Sequence, residues 1–97
     1  MNLFDYSIPE KNENFDLLLE HDKLSIVRIV SSDNFESTEY VQDADEWVLV
    51  IEGEATIRLE KEEKVVQKGE SLLIPAKTAH QVTKMKKGTV WLVIHIF

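Results

Sequence analysis

The sequence predicts an all-β fold, a single antiparallel barrel. Three observations carry this expectation. From Phe15 onward, short apolar segments alternate with turn signals, as in a chain that reverses every few residues to build a sandwich or barrel. Ala55-Thr56-Ile57-Arg58-Leu59-Glu60 alternates apolar with polar residues. Ala55, Ile57 and Leu59 then face a core while their neighbours face water. Trp47 to Ile51 and Val90 to Phe97 are apolar on both faces, as strands are when covered on both sides.

The elements follow in order. Residues up to about Asn14 are polar and contain Pro9, which reads as an arm or short helix packed on the barrel of residues 15–97. Strands are expected at Phe15 to Leu19, Leu24 to Ser31, Thr38 to Val41, Glu46 to Glu52 and Ala55 to Glu60. Further strands are expected at Lys64 to Gln67, Ser71 to Pro75, Gln81 to Met85 and Val90 to Ile96. Gly53 separates two of them. Glu60-Lys61-Glu62-Glu63 reads as a polar hairpin loop, and Lys68-Gly69 and Lys87-Gly88 as turns. In so small a chain, the second cover of the two-faced strands would come from another subunit, so a homodimer is expected.

Composition excludes several classes. The 97 residues suit one domain, with no internal repeat or linker. Charged residues make up 30%, and no segment approaches the roughly 20 apolar residues that span a bilayer. The start, Met1-Asn2-Leu3-Phe4-Asp5, lacks the basic and apolar blocks of a signal peptide. A cytoplasmic location and no membrane partner are the expectations. The net charge of −7 repels phosphate backbones, so no nucleic-acid partner is expected. Acid gathers at Glu36 to Glu46 and at Glu52 to Glu63, either as solvated faces or as oxygen ligands for a cation. Without cysteine there is no disulfide, thiolate metal site or cysteine nucleophile. No serine elbow or phosphate-cradling glycine loop is present.

Two segments resemble a known family. Glu46-Trp47-Val48-Leu49-Val50-Ile51-Glu52-Gly53 is glutamate, six residues, glycine. Gly69 to His80 is glycine, five residues, Pro75, then histidine five further on. They resemble the second half of the first cupin motif and most of the second, and the likeness runs from about Tyr40 to the C-terminus. It implies a cupin-type, jelly-roll-like barrel. Metal-binding cupins place a histidine pair before the glutamate. Here Glu46 and the later His80 match, but the pair is missing. One spacing puts Gln42 and Tyr40 in those places; the other puts Val41 and Glu39 there, and valine cannot coordinate. Lys77 stands where the family usually has glycine, and Lys84 where it often has asparagine.

The resemblance therefore implies a site of Glu46 and His80 with Gln42 and Tyr40 at the same end. A catalytic zinc or iron site needs about three good protein ligands. Gln42, Glu46 and His80 are the candidates for a weakly held divalent metal such as Zn, Mn, Ni or Fe. The alternative is a metal-free site in which His80 and Glu46 hydrogen-bond as a buried pair. Arg28 interrupts one face of its strand and is either a surface stem or an inward cation for an acidic ligand; we favour the surface. His95 shares a face with Trp91, Val93 and Phe97 and reads as a core or interface residue. His21 reads as solvated, and Trp47 and Trp91 as packing residues. Three functions remain: a homodimeric barrel binding a small polar metabolite, a metal-dependent isomerase, oxygenase or lyase, and a structural or regulatory dimer subunit. The first is preferred, because the histidine pair is missing while Glu46 and His80 are kept.

Overall fold

Eight strands form, and no helix: β1 (Glu13–Glu20), β2 (Leu24–Ser31), β3 (Asp45–Glu52), β4 (Glu54–Leu59), β5 (Glu62–Gln67), β6 (Ser71–Ile74), β7 (His80–Met85) and β8 (Val90–Ile96). The computed structural model describes residues 1–97. All pairing within the two sheets is antiparallel. One sheet has five strands in the order β1-β2-β8-β3-β6, the other three in the order β5-β4-β7. With no helix, no segment is a helix long and apolar enough to cross a membrane.

The alternation read in residues 55–60 decides which way β4 faces. Ala55 and Ile57 are buried, and Leu59 packs partly buried against the same cluster. Val66 joins them from β5, while Val48, Val50, Ile74, Trp91 and Val93 meet them from the larger sheet. The core is therefore the space between the two sheets, closed into a barrel.

The two-faced strands lie side by side at the centre of the larger sheet. On its outer surface Trp47 pairs with Ile94, and Leu49 with Leu92. Ile26 extends that row across β2 and Leu73 across β6. Leu73 and Ile96 are exposed.

Several expectations change. Thr38 to Val41 is not a strand: only Tyr40 pairs, in a single bridge to His80. Its backbone exchanges two hydrogen bonds with His80, at 2.8 and 2.9 Å. The chain then turns into β3, with Lys77 N–H donating to the Gln42 carbonyl. Acidic and polar residues between Asp33 and Asp45 give this stretch little apolar surface to bury. The four-residue loop after β4 shrinks to Glu60-Lys61, because Leu59 pairs with Glu62 and Arg58 with Glu63.

Arg28 is neither a surface stem nor an inward cation. It is 6% exposed and lies on the outer face of β2, beneath the N-terminal arm. Its guanidinium donates to Asp16 Oδ2, at 2.9 Å from Nη2, and to the Leu3 and Asp5 carbonyls at 3.0 and 3.1 Å. Arginine has five donors in a fixed fork. Here the fork ties the arm to the sheet, with Tyr6 over the cation at 5.7 Å. The arm forms no helix; it turns at Leu3-Phe4, where Asp5 N–H donates to the Asn2 carbonyl, and β1 begins at Glu13, two residues before the expected start.

Candidate functional site

The barrel encloses a cavity of about 360 Å³. Strand register determines its layers. Val50, Trp91 and Ile29 form one rung across β3, β8 and β2; Val48, Val93 and Val27 form the next. The rung after that pairs Glu46 with His95. Ile57 and Val82 of the smaller sheet face the apolar rungs, and His80 faces the polar one. The cavity is thus apolar along its length and polar at one end.

Each polar residue at that end is held by local structure. Glu46 sits on β3 opposite Ile74 and His95. His80 opens β7 and is tied to Tyr40 through the backbone bridge. Gln42 is anchored by the hydrogen bond from Lys77 N–H, 2.6 Å long. The Tyr40 and His80 rings lie 6.2 Å apart, centre to centre. Tyr40 and Phe15 also line the cavity and are exposed, so it opens to solvent past them.

The expected hydrogen bond between His80 and Glu46 does not form. His80 Nε2 lies 3.9 Å from Glu46 Oε2, too far for one. The imidazole bonds through Nδ1 to the Thr78 carbonyl instead, at 3.0 Å. A carbonyl only accepts, so Nδ1 carries the proton in the neutral ring and Nε2 presents a lone pair to the cavity. His95 Nε2 comes within 3.4 Å of the same Glu46 oxygen. Glu46 is 9% exposed, yet its Oε2 has no hydrogen-bond partner, and neither has Gln42 Oε1. Buried acceptors left this way are uncommon and costly.

Gln42, Glu46, His80 and Tyr40 are brought together, and Arg28 is not among them. The surprise is His95. It was expected in core or interface, and it faces the cavity beside Glu46 because Trp91 and Val93, which share its face, turn inward. The one available signal was a histidine interrupting an apolar face. Trp91 lines the cavity and Trp47 lies on the outer surface. Lys84 is exposed on β7, away from the cavity.

A family model described as a cupin domain matches residues 29–95. Among solved structures, a provisionally named mannose-6-phosphate isomerase from Ralstonia eutropha JMP134 is 34% identical, with a TM-score of 0.87 over 99% of this chain and 95% of that one. A cupin superfamily protein from Desulfitobacterium hafniense DCB-2 is 22% identical, with a TM-score of 0.84 over 95% and 84% of the two chains. A conserved Streptococcus pyogenes protein of unknown function is 17% identical, with a TM-score of 0.85 over 99% and 84%. The last two likenesses concern the fold alone. No curated protein matches the chain.

Proposed function

The chain belongs to the cupin family, and we propose that it is a binding protein whose barrel cavity takes a small molecule, held at its polar end by Gln42, Glu46 and His80. The observation behind this reading is the pair of buried, unpartnered oxygens, Gln42 Oε1 and Glu46 Oε2, at one end of an apolar cavity. A purely structural barrel would gain by filling both positions with apolar side chains. A ligand that donates hydrogen bonds there offsets the cost. His95 and Tyr40 complete the polar end.

A fragment screen followed by amide and methyl chemical shifts tests this. Binding fragments should perturb His80, His95 and the cavity methyls of Val48, Ile57 and Val93. Shifts scattered over the surface, with none in the cavity, would refute it.

A weakly held divalent metal on Gln42, Glu46 and His80 is the second reading, favoured by the same unpartnered carboxylate oxygen. The donor set fits it poorly. The two imidazole nitrogens stand 3.4 and 3.9 Å from Glu46 Oε2, and no three His, Asp or Glu side chains gather into a metal-holding group. We therefore expect chelator to leave the melting temperature unchanged. A lower melting temperature with chelator, restored by Zn²⁺, Mn²⁺, Ni²⁺ or Fe²⁺, would establish the metal reading by mass action. The name of the Ralstonia relative suggests a sugar phosphate. No lysine or arginine lines this cavity, so a phosphate would enter with no counter-charge. That is poor support for the same substrate here.

The proposal includes a homodimer formed through the outer face of the five-stranded sheet. Trp47, Leu49, Leu92 and Ile94 form a continuous apolar row there.

A further inference from the structure

The cavity's charge and hydrogen-bonding pattern narrows the ligand class. This step rests on the cavity being a binding site. At the polar end, the buried side-chain atoms left without a partner are both acceptors. Glu46 Oε2 and Gln42 Oε1 are buried and unpartnered. His80 spends its Nδ1 proton on the Thr78 carbonyl, which leaves Nε2 as an acceptor in the neutral ring. The second acid in the lining, Glu13, already accepts from Ser31 Oγ at 2.6 Å. It belongs to the far end of the sheet, opposite Ser31 in register. The one arginine on the neighbouring strand, Arg28, is committed to Asp16 and the N-terminal arm. No lysine or arginine therefore faces Glu46 across the cavity; its neighbours there are the imidazoles of His80 and His95, at 3.9 and 3.4 Å from Oε2.

We infer that the cavity selects small molecules with an apolar body and an ammonium head, the head donating to Glu46 Oε2 and Gln42 Oε1 and the body lying along the Val48–Val93 and Val50–Trp91 rungs. An ammonium has three donors and a positive charge, which matches two orphaned acceptors and an unpaired buried carboxylate. An anionic head meets the same carboxylate with no compensating charge, and burying like charges together is costly. A neutral hydroxyl head can satisfy one acceptor and leaves the charge unpaired. The body needs no polar groups, because the rungs along which it lies are apolar and Glu13, at the far end, already accepts from Ser31.

A matched series with one body isolates the head: 2-phenylethylamine, 2-phenylethanol, phenylacetate and ethylbenzene, titrated by calorimetry into the full chain. The amine should bind at least about tenfold more tightly than the alcohol, and phenylacetate should bind most weakly. Glu46→Gln should remove the preference for the amine over the alcohol while leaving ethylbenzene binding intact. That last arm shows that the variant's cavity is still formed. If phenylacetate binds as well as the amine, or Glu46→Gln leaves the amine's advantage in place, the inference falls while the cavity reading stands. If none of the four compounds binds at millimolar concentration, the cavity reading falls and takes the inference with it.

Discussion

Lys77 adopts φ 63°, a left-handed conformation in which a side chain crowds the following carbonyl. That is the physical reason glycine is usual at this position in the resembling motif. The strain is tolerated because Lys77 N–H reaches the Gln42 carbonyl, which anchors one side of the site. Lys77→Gly should therefore stabilise the protein by about 1 kcal/mol, offset in part by glycine's extra unfolded-state entropy. Urea denaturation would check it, and a lower midpoint would contradict the account. At Glu46 the structure reverses an expectation. From sequence, His80→Ala should cost about 1–3 kcal/mol by orphaning Glu46, but Glu46 Oε2 is already without a partner. The unpaired carboxylate is itself the liability. Glu46→Gln should raise stability by about 1 kcal/mol, which thermal melting would register as roughly 4–8 °C in a domain this size. A lower melting temperature would mean that Glu46 is paired in solution.

At the scale of elements, the turn from β3 to β4 has the least freedom. Gly53 has φ +87°, and a Cβ there would lie 2.5 Å from Thr89 Oγ1 and 2.7 Å from Thr89 Cα. Thr89 cannot give way easily. It is fully buried, and its hydroxyl bonds to the Lys86 and Glu54 carbonyls at 2.7 and 3.1 Å. Gly53→Ala combines backbone strain with a clash against main chain and should cost about 3 kcal/mol or more. Equilibrium unfolding measures that directly, and a loss under about 1 kcal/mol would show that the turn can relax. The sequence marked this turn because glycine separates two strong strand patterns. It did not mark Thr89 as the residue that makes glycine necessary, since that contact joins positions 36 apart in the chain.

At the scale of the molecule, the larger sheet is the feature without a full cover. Its inner face meets three strands across the core, and at the β1 edge Phe15 and Leu17 are exposed, as is Leu19, which past the bulge pairs with outer-face Ile26. Its outer face carries the Trp47–Ile94 and Leu49–Leu92 pairs, with the N-terminal arm over Arg28. Each 100 Å² of apolar area buried there on association would remove about 2.5 kcal/mol of exposure cost, less the cost of ordering two molecules. Sedimentation at micromolar concentration should show a dimer, and Trp47→Glu should shift it to monomer without unfolding it. A wild-type monomer under those conditions would end the dimer proposal.

Eight of the nine expected strands, the inward set Ala55, Ile57 and Leu59, and the cupin fold itself were legible in the sequence. They depend on local period and on two short motifs, which neighbours along the chain specify. Gln42, Glu46, His80 and Tyr40 could be placed at one end for the same reason, through the motif spacing. Only the tertiary structure decided what those groups do to one another. Whether His80 reaches Glu46 depends on a ring rotated toward the Thr78 carbonyl. Whether His95 joins the site depends on which face of β8 turns inward, and a strand apolar on both sides does not encode that choice. The role of Arg28 depends on where an arm some 25 residues upstream comes to rest. A residue's type and period are properties of the chain, but the partner that satisfies or orphans a buried polar atom is supplied by another strand, and only folding brings the two together.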